Sequence, residues 1–254
     1  MGDIASFKDR VAVVTGAAGN IGRSTVRMFM EHGVKVAATD FDRAKTEAAL
    51  ADVIAAGGDV RCYGADVTDR VQVEKLYAQV MVDFGKVDIL VNNAGVWENR
   101  HVIGCKRFET VPPEEWRRIF SVNIDGVMNF SQVFLPQMVE RGYGRIVNVG
   151  SIAGEVGKPG YLDYSGAKAA VIRITQVMAM ENAKRGITVN SVSPGMVAVG
   201  PVKKTPGTWV GHEGTADEMA RAILFLAADE SGFLVGVDIP VDGGRILGPH
   251  GDDM

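Results

Sequence analysis

Cysteine is nearly missing from this 254-residue sequence: Cys62 and Cys105 are the only two, without metal-ligand spacing or the density of a disulfide scaffold. Two unpaired thiols in a reducing interior are expected. Histidine is scarce as well, and His32, His101 and His212, with Glu98, show no pair one helical turn apart, so no metal site is expected. There is no basic excess. With 27 Lys and Arg against 31 Asp and Glu, the net charge of −4 argues against nucleic acid. No apolar run approaches the roughly 20 residues that cross a bilayer. The start, Met1 to Arg10, runs into the first apolar strand with no room for the long apolar segment of a signal peptide. These absences point to a soluble, cytoplasmic protein with no membrane partner. Repeats and low-complexity linkers are missing too, so residues 1–254 are expected to form one domain.

What is present is a regular alternation. Short β-rich runs at Val11–Thr15, Lys35–Thr39, Val60–Tyr63, Val87–Val91, Arg145–Val149, Ile187–Val192 and Val237–Val241 imply seven strands. The early and central runs are nearly continuous in apolar residues, the signature of strands covered on both faces. Between them Ile21–His32, Ala44–Ala56, Val71–Phe84, Glu114–Arg141, Tyr161–Lys184 and Ala216–Ala228 carry helical periodicity. Gly33, Gly57, Gly85, Gly142 and Gly186 follow five of these helices, where a left-handed residue ends a helix most cheaply as glycine. The expectation is an α/β fold, a Rossmann-like doubly wound parallel sheet with helices on both faces. Only about 96–113 and 196–214 are loosely patterned. Substrate specificity is expected to reside in those two loops.

Thr15-Gly16-Ala17-Ala18-Gly19-Asn20-Ile21-Gly22 joins the first strand to the first helix, placing small residues where backbone must approach a pyrophosphate. Alone, such a turn is weak evidence for a dinucleotide. Asp40 strengthens it by closing the second strand, where an acid accepts hydrogen bonds from the adenosine ribose. A 2′-phosphate would meet a like charge there, and the turn holds no lysine or arginine to offset it, so the expected cofactor is NAD. Arg43 nearby reads as a solvated residue at the start of a helix.

Tyr164-Ser165-Gly166-Ala167-Lys168 sets a phenol and an ammonium at i and i+4, on one face of a helix. A free tyrosine titrates near pH 10, and a neighbouring cation favours the phenolate, so Lys168 is expected to lower the pKa of Tyr164 toward useful proton exchange. Ser151 follows the fifth strand and so lies at the carboxyl edge of the sheet, where open α/β folds bind ligands; its hydroxyl can polarise a carbonyl. Singly, each of these residues is more often structural, a serine after a strand being commonly a helix cap. Their joint placement carries the reading.

From Lys8 to Gly244 the sequence strongly resembles the short-chain dehydrogenase/reductase family. Thr15–Gly22 resembles that family's cofactor turn, Asp66-Val67 its adenine contact, Asn92-Asn93-Ala94-Gly95 its sheet-stabilising motif and Pro194-Gly195 its turn near nicotinamide. By resemblance Ser151, Tyr164 and Lys168 match the catalytic serine, tyrosine and lysine. Asn123, in Phe-Ser-Val-Asn-Ile, matches the asparagine that holds a water on the proton relay. Lys168 would also bind the nicotinamide ribose. The expected cofactor residues are then Gly16, Asn20, Ile21, Gly22, Asp40, Phe41, Asp66, Val67, Asn93, Ala94, Gly95, Tyr164, Lys168, Pro194, Gly195 and Val197.

Departures from the family pattern mark where this chain differs. Asn20 stands where glycine is usual, its side chain a candidate cofactor contact; Gly150 replaces a frequent serine, and no threonine closely follows Gly195. Trp97, Ser151, Glu155, Tyr161, Met196 and Trp209 are the candidate substrate-pocket residues. Lys203, Lys204 and His212 read as a solvated basic cluster. The last helix and strand resemble surfaces the family uses for subunit packing, which implies a homo-oligomer, tetramer or dimer.

The expected function is an NAD(H)-dependent oxidoreductase that interconverts a secondary alcohol and its ketone by hydride transfer, with Tyr164 as general acid/base. The alternative is an NADPH-dependent carbonyl reductase of the 3-oxoacyl type, which the same residues would serve. A cofactor-sensing protein without turnover would lack members of the tetrad, and all four are present.

Overall fold

A computed structural model describes residues 7–97 and 107–248; Glu98, His101 and Cys105 lie outside the described residues. Seven strands, β1 Val11–Thr15, β2 Lys35–Asp40, β3 Val60–Gly64, β4 Ile89–Asn92, β5 Gly144–Val149, β6 Ile187–Pro194 and β7 Asp238–Val241, make one sheet. All pairings are parallel, in the order β3-β2-β1-β4-β5-β6-β7. The order reverses between β1 and β4.

Helices cover both faces, as the apolar strands require. On one side α1 Asn20–Glu31, α3 Ala51–Ala55 and α8 Ala216–Ala227 pack Phe29, Val53 and Ile223 against Ala12 and Val14 of β1. On the other, α4 Arg70–Phe84, α6 Gly126–Arg141 and α7 Leu162–Asn182 pack Leu76, Phe134 and Ala179 against Val11 and Val13. Adjacent β1 residues thus serve opposite cores, the two-residue period of a strand buried on both faces.

The structure departs from the expected elements where the core intervenes. The stretch Ala44–Ala56 is two helices, α2 Arg43–Ala49 and α3, because Leu50 is fully buried and turns out of helical geometry at φ −106° and ψ 10°. Glu114–Arg141 likewise splits, into α5 Pro113–Phe120, a π turn at Ser121–Asp125 and α6. Gly85 and Gly142 end α4 and α6 at φ 76° and 63°, the left-handed region expected of them. No helix among the described residues is long and apolar enough to cross a membrane.

Phe134 is the buried hinge of its layer, edge-on to Tyr77 at 5.1 Å and stacked on Phe130 at 5.8 Å. Phe134→Ala is expected to cost about 3–5 kcal/mol of stability, because a rigid core refills such a cavity poorly. Urea unfolding of the variant beside the parent protein measures it.

Candidate active site

At the carboxyl edge of the sheet a cleft of about 1420 Å³ runs from Gly16 and Asp40 to Tyr164 and Met196. Its floor is the β1–α1 turn. Thr15 Oγ1 accepts hydrogen bonds from the backbone N–H groups of Asn93 (3.0 Å) and Ala94 (2.9 Å). Asn93 Nδ2 donates as well, to the carbonyls of Thr15 (2.9 Å) and Gly16 (3.1 Å). The approach is so close that a Cβ on Gly16, which sits at φ +63°, would lie 2.9 Å from the Ala94 Cα. At Gly22 a Cβ would come within 2.1 Å of the Gly16 carbonyl oxygen. Gly22 lies behind the turn and lets the helix start against it. No side chain caps α1 and no acid stands in its first turn, so its positive end is left for an anion. These residues fit a dinucleotide pyrophosphate.

Asp40 and Phe41 form the far wall. One Asp40 carboxylate oxygen accepts from the Ala18 N–H at 3.1 Å and the other from the Phe41 N–H at 2.8 Å. These bonds fix the acid at the rim of the turn. Arg43 is exposed and paired with Glu47 at 2.8 Å, as its solvated reading anticipated. Asp66 and Val67 line the same end, where Asp66 Oδ1 accepts from Thr68 and the Val67 carbonyl accepts from Asn129.

Tyr164, Ser151, Lys168 and Asn123 meet at the other end. Lys168 Nζ lies 5.7 Å from the Tyr164 ring centroid and donates to the Val149 carbonyl at 2.8 Å. Ser151 hydrogen-bonds Tyr164 and also accepts from the Ala153 N–H at 3.1 Å, so it is both a cleft residue and a cap. Two glycines permit this gathering. A Cβ on Gly154 would fall 2.6 Å from the Lys168 carbonyl carbon, which lets the Ser151 turn lie directly on α7. One on Gly95 would fall 2.8 Å from Asn123 Oδ1 and 3.3 Å from Lys168 Nζ. Asn123 sits in the π turn, its Nδ2 donating to the carbonyls of Val96 (2.8 Å) and Ile119 (2.9 Å). Its Oδ1 is buried without a protein partner, which suits a bound water.

Burial dominates the electrostatics. It pushes the Tyr164 phenol above the ordinary tyrosine value, against a smaller opposite pull from the Ser151 hydrogen bond. Burial also brings Lys168 down to about 8. The protein groups alone do not give the expected lowering of Tyr164 by Lys168: desolvation disfavours both charged forms and is the largest influence on each.

Pro194, Gly195, Met196 and Val197 line the cleft where β6 ends, with Trp97 and Tyr161 opposite. Two expected pocket residues do not. Glu155 stays out of the lining, and burial together with the neighbouring acid Asp238 raises its pKa. Trp209 packs on the backbone of Gly244 outside the lining. Asn20 borders the cleft, but its Nδ2 donates to the Ala198 carbonyl at 2.7 Å, tying the turn to the 196–214 loop. Gly150 is explained by Ser193, whose Oγ would stand 2.7 Å from a Cβ there. Arg118, Lys158, Glu213 and Arg245 line the cleft without having been expected. Their only sequence signal is proximity to Asn123, Ser151, the second loop and the Asp242-Gly243-Gly244 turn. No three His, Cys, Asp or Glu side chains among the described residues are grouped to hold a metal.

Comparison with known proteins agrees with this architecture. A family model described as short chain dehydrogenase matches residues 10–208. The 3-oxoacyl-[acyl-carrier-protein] reductase of Thermotoga maritima is 35% identical over 250 residues, covering 95% of this chain and 99% of the relative. The reductase of the same name from Escherichia coli K12 is 33% identical over 254 residues, covering 95% and 99%. An acetoacetyl-CoA reductase of Rhizobium meliloti is 36% identical over 249 residues, covering 93% and 98%. The chain belongs to the short-chain dehydrogenase family, oxidoreductases that bind a nicotinamide dinucleotide.

The buried Lys168 has a measurable signature. Its folded value of about 8 lies below the ordinary 10.5, so between those values the unfolded chain binds the extra proton and stability rises with pH. Below about 8 both states are charged and the burial cost is fully present. The cofactor-free protein is expected to gain stability relative to Lys168→Met from pH 7.5 to pH 10, by roughly 1–3 kcal/mol. Urea midpoints of both proteins at the two pH values check this.

Proposed function

We propose that this chain is an NADH-dependent carbonyl reductase of the 3-oxoacyl type, forming a 3-hydroxy compound. The carrying observation is the meeting of Tyr164, Ser151, Lys168 and Asn123 at one end of a dinucleotide-shaped cleft. From the sequence alone, an NAD(H)-dependent oxidoreductase interconverting a secondary alcohol and its ketone stands first and the NADPH-dependent 3-oxoacyl-type reductase second. The names of the relatives, each a reductase of a 3-oxoacyl or acetoacetyl group, support reversing that order. For the carrier, the Asp40 carboxylate supports NADH over NADPH, because a 2′-phosphate would approach a fixed like charge.

On this reading the turn from Gly16 through Ile21 takes the pyrophosphate, Asp40 and Phe41 the adenosine ribose, and Asp66 and Val67 the adenine. Asn93, Ala94, Gly95, Lys168, Pro194, Gly195 and Val197 face the nicotinamide half. The bound cofactor supplies a hydride to the carbonyl carbon. Tyr164 supplies the proton to the carbonyl oxygen, and Ser151 donates a hydrogen bond to the same oxygen. Burial suits this direction, since a phenol held above its usual pKa is kept protonated until the oxygen becomes basic. Lys168, with a pKa of about 8, and a water held at Asn123 Oδ1 would return a proton to Tyr164. Phe225, Phe233 and Val235, exposed on and after α8, are apolar surface that a second copy would cover, which supports a homo-oligomer.

Tyr164→Phe is expected to lower kcat about 10²–10⁴-fold with an acetoacetyl thioester while leaving NADH binding intact. Near-parental turnover would defeat the proton assignment. Paired kinetics should favour NADH over NADPH by at least about tenfold, and Asp40→Ala should narrow the gap. A parental preference for NADPH would remove the cofactor assignment.

A further inference from the structure

Three aromatic rings stand in file along the substrate side of the cleft. Tyr161 meets the reactive Tyr164 edge-on, with ring centroids 6.4 Å apart and planes at 66°. Trp97 lies nearly parallel to Tyr161, also at 6.4 Å, with planes at 22°. All three line the cleft. Tyr161 is 8% exposed and anchored, with Lys158 Nζ 5.0 Å from its ring centroid, whereas Trp97 leaves 53% of its surface open. An indole left half-bare inside a concave site is apolar surface that folding does not use.

We propose that Trp97 and Tyr161 are the specificity-determining wall for an aryl group on the reacting carbonyl, so that the preferred substrate is a 3-aryl-3-oxoacyl compound. The inference rests on the carbonyl-reductase reading of the same site. An aryl group on the reacting carbon is one bond from it and has no flexible chain to carry it elsewhere. Along the cleft from Tyr164 the next rings are the nearly buried Tyr161 and then Trp97, whose open half offers the group a flat surface. Flat rings gain from such a wall twice. They match its face over their whole area, and their quadrupoles favour centroid spacings of about 4.5–7 Å, the spacing already present in the file. A saturated ring of equal carbon count is puckered and lacks the quadrupole, and an alkyl chain also loses rotational freedom when pinned. The wall should therefore discriminate by shape and electronics, not by bulk.

The test uses the NADH-loaded enzyme with ethyl benzoylacetate, its cyclohexyl counterpart and ethyl acetoacetate. Expected is a kcat/KM for the phenyl ester about tenfold above the cyclohexyl ester, carried by KM. Trp97→Ala should lower the phenyl value about tenfold and the cyclohexyl value less than about threefold, and Trp97→Phe should hold most of the phenyl preference. The KM for NADH should not move. Equal treatment of phenyl and cyclohexyl by the parent enzyme, equal losses in Trp97→Ala, or a raised NADH KM in that variant would each overturn the wall. Calorimetric titration of NADH-loaded Tyr164→Phe with the same two ring esters reads the preference without turnover. If no ester is reduced by the parent enzyme while the phenyl ester still binds more tightly, the reductase reading falls and the wall stands. Equal binding in that titration would sink the wall alone.

Discussion

The cleft depends on the lock between the ends of β1 and β4. Strand order reverses there, so the connections leaving the two strands diverge to opposite faces and a crevice opens. Left unbridged, the strand ends would separate and expose their last peptide groups. Asn93 and Ala94 donate four hydrogen bonds across the gap, two to Thr15 Oγ1 and one each to the carbonyls of Thr15 and Gly16. The same bonds bring Gly16 against the Ala94 backbone, which fixes the turn that begins α1. A second polar chain braces the next strands, with Asn92 donating to Asn148 and Asn148 to Thr175 on α7. Polar groups this deep stabilise where they are paired, and here both Asn side-chain N–H groups find partners while Asn92 Oδ1 has none. The helix bearing Tyr164 and Lys168 is thereby referenced to the strand that carries the phosphate turn.

That rigidity lets the fold hold a lysine in surroundings that oppose its charge. Lys168 is buried beneath Tyr164, with the Val149 carbonyl as its hydrogen-bond partner. A surface loop could relax and hydrate such an ammonium, whereas α7 is pressed against the Ser151 turn at Gly154 and cannot. Asn123 enters from α5 and α6 through a π turn. The extra residue per turn re-aims the side chain into the space beside Gly95, a distortion that occurs chiefly at functional positions. Gly126, directly after it, lets the helix pass within contact of Val67, so the same irregularity links the two ends of the cleft.

Much of this was legible in the residues. Continuous apolar runs gave the covered parallel strands, and the spacing of Tyr164 and Lys168 gave their shared helix face. The rest depended on which partner a side chain meets, and periodicity carries no such information. Leu50 fits a helical pattern but drops into the core and breaks the helix. Asn123 fits one too, yet the helix there is π. Glu155 follows Ser151 closely, but it stands outside the cleft lining, beside the acid Asp238. Arg245 reaches the cleft from the far end of the chain because Asp242 accepts the N–H groups of Gly244 and Ile246 and shapes the turn that presents it. The local turn was visible in Asp-Gly-Gly; its position beside Met196 is a product of the whole sheet.

The two ends of the cleft answer different selective demands, and they are built from separate elements. At the adenosine end, Asp40 is held through both carboxylate oxygens by backbone N–H groups of the phosphate turn and of its own successor. Each oxygen retains a second lone pair for a ribose hydroxyl. Two neutral amide dipoles only partly offset a full negative charge, and Arg43 is engaged by Glu47, so the local field still repels a phosphate. At the carbonyl end, Tyr164 stands between Ser151 and Lys168 on one side and the Tyr161 ring on the other, and nothing in Asp40 reaches them. Relatives that share the fold and the chemistry can therefore differ at either end independently. In the proposed reading this chain keeps the reductive machinery in common with them. The selectivity proposed for it rests on Asp40 and on the Trp97–Tyr161 wall.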